Sequence, residues 1–389
     1  MAPPAGAVSR SISMSSLSPV SRNAVIDCTK GLACAAIVWH HLAFYGPMSD
    51  VVQPLLPGLI EWLYEDARMA VQLFLVLAGY LAAASLAPAG LARHSQPWVQ
   101  IARRFVRLVV PLAVALVLAV LVTALVRPWF DHASLSAAPG LFQLLAHALL
   151  LQGIVGEESL SAGVWYVSID FQLFALTALL FAAGRWWKGD PDVTPRARPT
   201  PGQAVVVLLA AASLWGFNRD ADLDNWAVYF FGAYGLGMMA FWAVRSSRPW
   251  AWSACMAVLL AVALWLEWRT RIALAGAAAL ALLAAMRSPQ LQRLQGPVRL
   301  QQLGRMSYSV FLVHFPVCLL VNAVVTWFWP ESLAMNLLGL CAAFALSLAT
   351  GRVLYLRVEQ HMPSWQDVVR WQASLVGTGM MMAWVTAWI

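Results

Sequence analysis

The chain has 389 residues, of which 61% are hydrophobic and only 11% charged, with a formal net charge of +7. A soluble globular domain carries nearer a quarter charged residues, so the composition excludes one. It predicts an all-α integral membrane protein, a polytopic bundle of about 10–11 transmembrane helices.

Residues 1–21 are rich in Ser, Pro and Ala and lack the apolar core of a signal peptide. They read as a disordered cytoplasmic tail. Apolar runs then fall near 25–46, 69–87, 108–126, 163–184, 203–217, 226–244, 250–266, 271–286, 306–328, 334–356 and 371–389. Each approaches the ~20 residues that cross ~30 Å of hydrocarbon, with 203–217 and 271–286 the shortest. Segment 139–155 is apolar but holds His147, Gln143 and Gln152. It reads as an interfacial or re-entrant helix on the outer surface, because counting it as a span would turn the later basic loops outward. Residues 185–202, with Pro191, Pro195, Pro199 and Pro201, read as a solvated cytoplasmic loop. The membrane domain is expected over 22–363, with an additional C-terminal helix over 364–389 that either spans or lies at the interface.

Orientation follows from the cations. With the N-terminus in the cytoplasm, the outer segments carry only Arg68, Arg127, Arg219, Arg269 and Arg271. Every other arginine and lysine falls on the inner side, except Lys30 within the first span. That is the positive-inside pattern of a multi-pass protein, expected in a bacterial inner membrane. Cys28, Cys34, Cys255, Cys318 and Cys341 are scattered, without the paired spacing of a disulfide framework or a zinc site, so no metal is expected.

Two groups of polar residues call for an explanation, since ionisable side chains inside a bilayer are costly. Toward the outer side lie His41 in the first span, Gln72 in the second and Asp170 in the fourth. Counted by depth they share the outer third of the bilayer. A histidine beside a carboxylate can take a proton from a hydroxyl near neutral pH. The same three residues can equally be hydrogen-bonded contacts between helices. His40 stands about 100° from His41 around the helix, so the two face different surroundings. Toward the inner side lie Lys30, Arg104, Arg107 and Arg305. They read either as topology signals or as a phosphate site for a donor such as coenzyme A. Asp27 is also spaced to pair with Lys30 at i,i+3. No phosphate-binding glycine loop, HExxH or Cys-x-x-Cys is present, and the dispersed basic residues exclude nucleic acid as a partner.

In order, these residues make a pattern. Asp27, Lys30-Gly31 and His41, eleven positions after Lys30, resemble the opening motif of the acyltransferase 3 family of membrane O-acyltransferases. Lys30 stands where the family usually has arginine. Phe74 to Tyr80 resembles its second-span motif, with Gln72 at a common acidic position. Arg104, Arg107 and Pro111 match the arginine pair before a proline. Trp165-Tyr166 through Phe171-Gln172 is similar to a further motif, with Asp170 in place of glutamate. Leu303-Gly304, Ser307-Tyr308-Ser309 and His314-Phe315-Pro316 resemble the most readable signature, and Glu359 a closing glutamate.

The resemblance implies a core of ten spans and a catalytic His41, acting as general base on the acceptor hydroxyl or briefly carrying the acyl group itself, with Asp170 assisting. Lys30, Arg104, Arg107 and Arg305 would bind acyl-CoA, and Asp27, Gln72, Trp165, Tyr166, Ser307, Tyr308, His314 and Glu359 would support the site. The expected reaction is transfer of an acyl group, acetyl first among them, from cytoplasmic acyl-CoA to a hydroxyl of a cell-envelope carbohydrate or lipid. Acyl-CoA is a co-substrate, with no bound cofactor, and Gln72 or Tyr166 would stabilise the oxyanion. Partners are then the bilayer, the donor and the acceptor, with homo-oligomerisation left open. The competing readings are a transporter or flippase and a non-catalytic relative.

Overall fold

The structure is a computed structural model that describes residues 23–188 and 199–387. The N-terminal tail and the centre of the 185–202 loop, expected to be disordered and solvated, lie outside the described residues. Among the described residues there is no strand. Hydrocarbon offers no partner to a free backbone N–H or C=O, so the apolar runs close their hydrogen bonds within helices.

The helices in chain order are α1 (Ala24–Phe44), α2 (Pro47–Val52), α3 (Pro57–Glu65), α4 (Val71–Leu86) and α5 (Pro97–Val126). Then come α6 (Leu141–Ala148), α7 (Val164–Lys188), α8 (Pro201–Trp215), α9 (Ala227–Arg245), α10 (Pro249–Leu266) and α11 (Thr270–Arg287). The chain ends with α12 (Pro289–Arg293), α13 (Val298–Arg305), α14 (Ser307–Phe328), α15 (Leu333–Leu354) and α16 (Trp365–Thr386). Proline opens α2, α3, α5, α8, α10 and α12, where its missing N–H would be unpaired anyway. Asn23 caps α1, and capping boxes start α8 (Thr200 with Gln203) and α16 (Ser364 with Asp367).

Nine of the described helices are long and apolar enough to cross a membrane. α1, with 21 residues, and α16, with 22, have the length but are not among the nine. In α1 the apolar character is diluted by Asp27, Lys30, His40 and His41. α6 has 8 residues, so it rises only about 12 Å and cannot span. It lies beside α16, where Gln372 donates to the Ala148 carbonyl at 3.0 Å.

α9 is the central column, buried continuously from Tyr229 to Ala243. α4, α7, α8, α10 and α11 pack around it. The second half of the bundle gathers α1, α5, α13, α14, α15 and α16. α1 and α14 run parallel in one register. Cys34 Sγ meets the Ser307 carbonyl at 3.7 Å and His41 meets His314, each pair 273 residues apart. Seven residues separate the two contacts, which is two helical turns and returns both side chains to the same seam.

Candidate active site

The seam between α1 and α14 carries the site at two levels. At the end where α1 begins, α13 presses against α1 so closely that a β-carbon on Gly304 would collide with the Asp27 carbonyl. This contact brings Arg305 to Asp27, Nε to Oδ2 at 3.2 Å. Asp27 is therefore paired across helices rather than with Lys30 one turn on. Ser307 donates to the Gly304 carbonyl at 2.9 Å, and the Tyr308 hydroxyl to the Leu108 carbonyl of α5 at 2.8 Å. Glu359, on the π-helical turn after α15 (Tyr355–Glu359), accepts from Ser309 N at 3.1 Å and Ser309 Oγ at 2.6 Å. A carboxylate there satisfies an otherwise free N–H in the first turn of α14 and complements its dipole.

These elements line an open cavity of about 970 Å³, walled by α1, α4, α5, α7, α9, α13, α14 and the Glu359 turn. Its charged half carries Lys30, Arg93, Arg104, Arg107 and Arg305 against Asp27, Asp170 and Glu359. Arg104 binds Asp170 at 2.5 Å and lies over the Phe174 ring at 5.4 Å. Asp27 is taken by Arg305. Among the described residues Lys30, Arg93 and Arg107 have no paired carboxylate, so the cavity offers net positive charge to a ligand. The other half is apolar, with Ile37 of α1, Val71 and Phe74 of α4, Tyr166 and Val167 of α7, and Phe311 of α14.

Ile37 and Phe311 each stand about one helical turn before a histidine, His41 on α1 and His314 on α14. His41 Nδ1 lies 2.6 Å from His314 Nε2, and the rings stack at 4.7 Å with 9° between planes. His314 Nδ1 lies 2.6 Å from the Phe311 carbonyl. A carbonyl only accepts, so His314 carries its proton on Nδ1 and presents a bare Nε2. His41 must then donate from Nδ1, which leaves His41 Nε2 with a free lone pair. His314 is buried at 1% exposure, whereas His41 keeps a partly open face. The neighbouring His40 turns away and holds α3 through the Leu63 carbonyl at 2.9 Å.

The structure thus gathers Asp27, Lys30, Arg104, Arg107, Asp170, Tyr166, Arg305, Ser307, Tyr308 and Glu359 around one cavity. It does not bring Asp170 to His41, as shared depth had suggested. Asp170 faces Arg104, and the partner of His41 is His314. Gln72 is buried on α4 and Trp165 stacks on Phe230 at 5.5 Å; neither lines the cavity. Two contributors were not singled out as site residues from the sequence. Arg93 sits in the loop before α5. The Phe311 carbonyl lies three residues before His314, a spacing that puts it on the same helix face.

A family model described as an acyltransferase domain matches residues 23–356. The chain belongs to the acyltransferase 3 family. The match covers the cavity from Asp27 to Tyr355 and both histidines, and stops just short of Glu359. No curated protein and no solved structure matches the chain. As a multi-pass membrane acyltransferase, the protein needs a donor site and a group that can activate an acceptor. The cationic cavity and the histidine pair are the two features of the fold suited to those needs.

Proposed function

We propose that the protein is a membrane O-acyltransferase that takes an acyl group, acetyl in the first instance, from acyl-CoA and passes it to a hydroxyl of a cell-envelope carbohydrate or glycolipid. One observation carries the reading: a cavity cationic at one end and apolar at the other stops a single turn short of a histidine whose tautomer is fixed. Lys30, Arg93, Arg107 and the paired Arg104 and Arg305 suit the phosphates of coenzyme A. The positive-inside bias supports a cytoplasmic setting for this end, the side expected to supply acyl-CoA, with His41 toward the other face. From Lys30 to His41 is about 16 Å along α1, a path for the extended arm of the donor.

In the reaction, His41 Nε2 takes the proton of the acceptor hydroxyl as its oxygen attacks the thioester carbonyl. The C–O bond forms, the tetrahedral oxyanion collapses, the C–S bond breaks, and the thiolate recovers a proton from His41. His314 orients the ring and shares the positive charge that His41 gains, with the Phe311 carbonyl behind it. Tyr166, which lines the apolar end, is better placed than Gln72 to stabilise the oxyanion.

The test is coenzyme A release from acetyl-CoA by purified protein, supplied with cell-envelope extract as acceptor. Release by the wild type that is lost in a folded His41→Ala variant supports the reading. A monodisperse wild type that consumes no acyl-CoA rejects it and turns attention to transport.

A further inference from the structure

The apolar end of the cavity is shaped by three rings in series. Phe74 lies 6.2 Å from Tyr166, and Tyr166 meets Phe311 edge-on at 5.8 Å. Phe311 in turn stands 5.8 Å from His314. The Phe311 ring is therefore the only one of the three in contact with both Tyr166 in the cavity wall and the histidine pair beyond it. Its main chain and side chain do separate jobs. The carbonyl holds His314, whereas the ring lines the apolar end of the cavity next to Tyr166 and His314.

The ring is held there by Gly163. That residue has φ +79°, which disfavours any side chain, and a β-carbon on it would stand 2.5 Å from Phe311 Cζ. Glycine at this turn leaves the seat in which the ring packs. Phe311 is only 9% exposed, so most of the ring is packed against its neighbours.

Resting on the acyl-CoA reading, we infer that the Phe311 ring sets the acyl chain length the enzyme accepts. A thioester carbonyl brought within reach of His41 leaves its alkyl tail to be housed among Ile37, Val71, Phe74, Tyr166, Val167 and Phe311. With the ring in place, its volume is taken from the space left to that tail. Removing the ring opens the end of the chamber to longer tails and leaves the carbonyl that holds His314.

The experiment compares acetyl-, propionyl-, butyryl- and hexanoyl-CoA in the same release assay with full-length protein. The wild type is expected to favour acetyl and propionyl. Each methylene newly housed in apolar surroundings is worth about fourfold in rate or affinity. Phe311→Ala should therefore raise the hexanoyl-to-acetyl ratio of kcat/KM roughly 10–100-fold. Phe311→Leu, which keeps more of the volume and endangers folding less, should move the ratio the same way by a smaller factor. An unchanged ratio in either variant, with release still dependent on His41, overturns the inference. So does a wild type that uses hexanoyl-CoA as readily as acetyl-CoA, or an equal loss with every donor in both variants. A wild type that uses none of the donors fails the acyl-CoA reading itself, a result distinct from all of these.

Discussion

The two ends of the α1–α14 seam solve opposite problems. Around Lys30 and Arg305 the side chains are charged and partly open, and more cations than carboxylates face one cavity. Around His41 and His314 two ionisable rings are packed together, and hydrogen bonds running in one direction end on a backbone carbonyl. The first end keeps charge available for a ligand. The second keeps charge away until a proton arrives, because an isolated charge there would be poorly solvated. On the proposed reading, binding and chemistry lie about three helical turns apart on one helix, and substitutions should separate them.

The largest effect is expected at the histidine end. His41→Ala should lower kcat by roughly 10²–10⁴-fold, the range for loss of a positioned general base. Binding of a non-reactive thioether analogue of acyl-CoA, read by calorimetry, should change much less. His314→Ala should cost about 10²-fold in kcat through loss of ring orientation. His314→Gln, whose amide can both accept and donate, should recover part of it. Equal activity in the Ala and Gln variants would remove the hydrogen-bond chain from the mechanism.

At the cationic end the effect should move to KM. Loss of one charge-assisted contact is worth about 1.5–3 kcal/mol, so Lys30→Ala or Arg107→Ala should raise the KM for acyl-CoA roughly tenfold or more. The effect should shrink as salt is added, and initial rates across a donor titration will show it. Asp170→Asn weakens the partner of Arg104. It should destabilise the protein by roughly 1–3 kcal/mol, less than a fully buried pair would, since the Arg104 side chain keeps 32% of its surface exposed. Thermal melting in detergent would read that loss. A fall in kcat matching His41→Ala would instead make Asp170 part of the chemistry. The smallest effect is expected for Tyr308→Phe, which removes one hydrogen bond to α5 and should cost about 1 kcal/mol.

Much of this arrangement was legible in the sequence because it depends on local rules. Hydrophobic runs specify helices, prolines mark their starts, and the basic residues of one face have to meet somewhere. Lys30, Arg104, Arg107 and Arg305 do meet, around one cavity. The partner of His41 was not legible. Two helices 273 residues apart had to be paired in register before His314 could be placed. Asp170 shows the limit of counting depth. α5 starts at Pro97, well before the apolar run near 108, so Arg104 lies within that helix and within reach of Asp170 on α7. The Asp170 side chain meets Arg104, which was counted from the opposite face. α1 is read as a span from its apolar run, although Asp27, Lys30, His40 and His41 lower its mean hydropathy below that of the nine most apolar helices.

The most direct measurement is a paired titration of wild type, His41→Ala and Lys30→Ala, recording analogue binding and coenzyme A release for each. Near wild-type binding with almost no release in His41→Ala, together with weakened binding in Lys30→Ala, is the predicted result. Loss of binding in His41→Ala, or release that survives it, would contradict the division of labour along the seam.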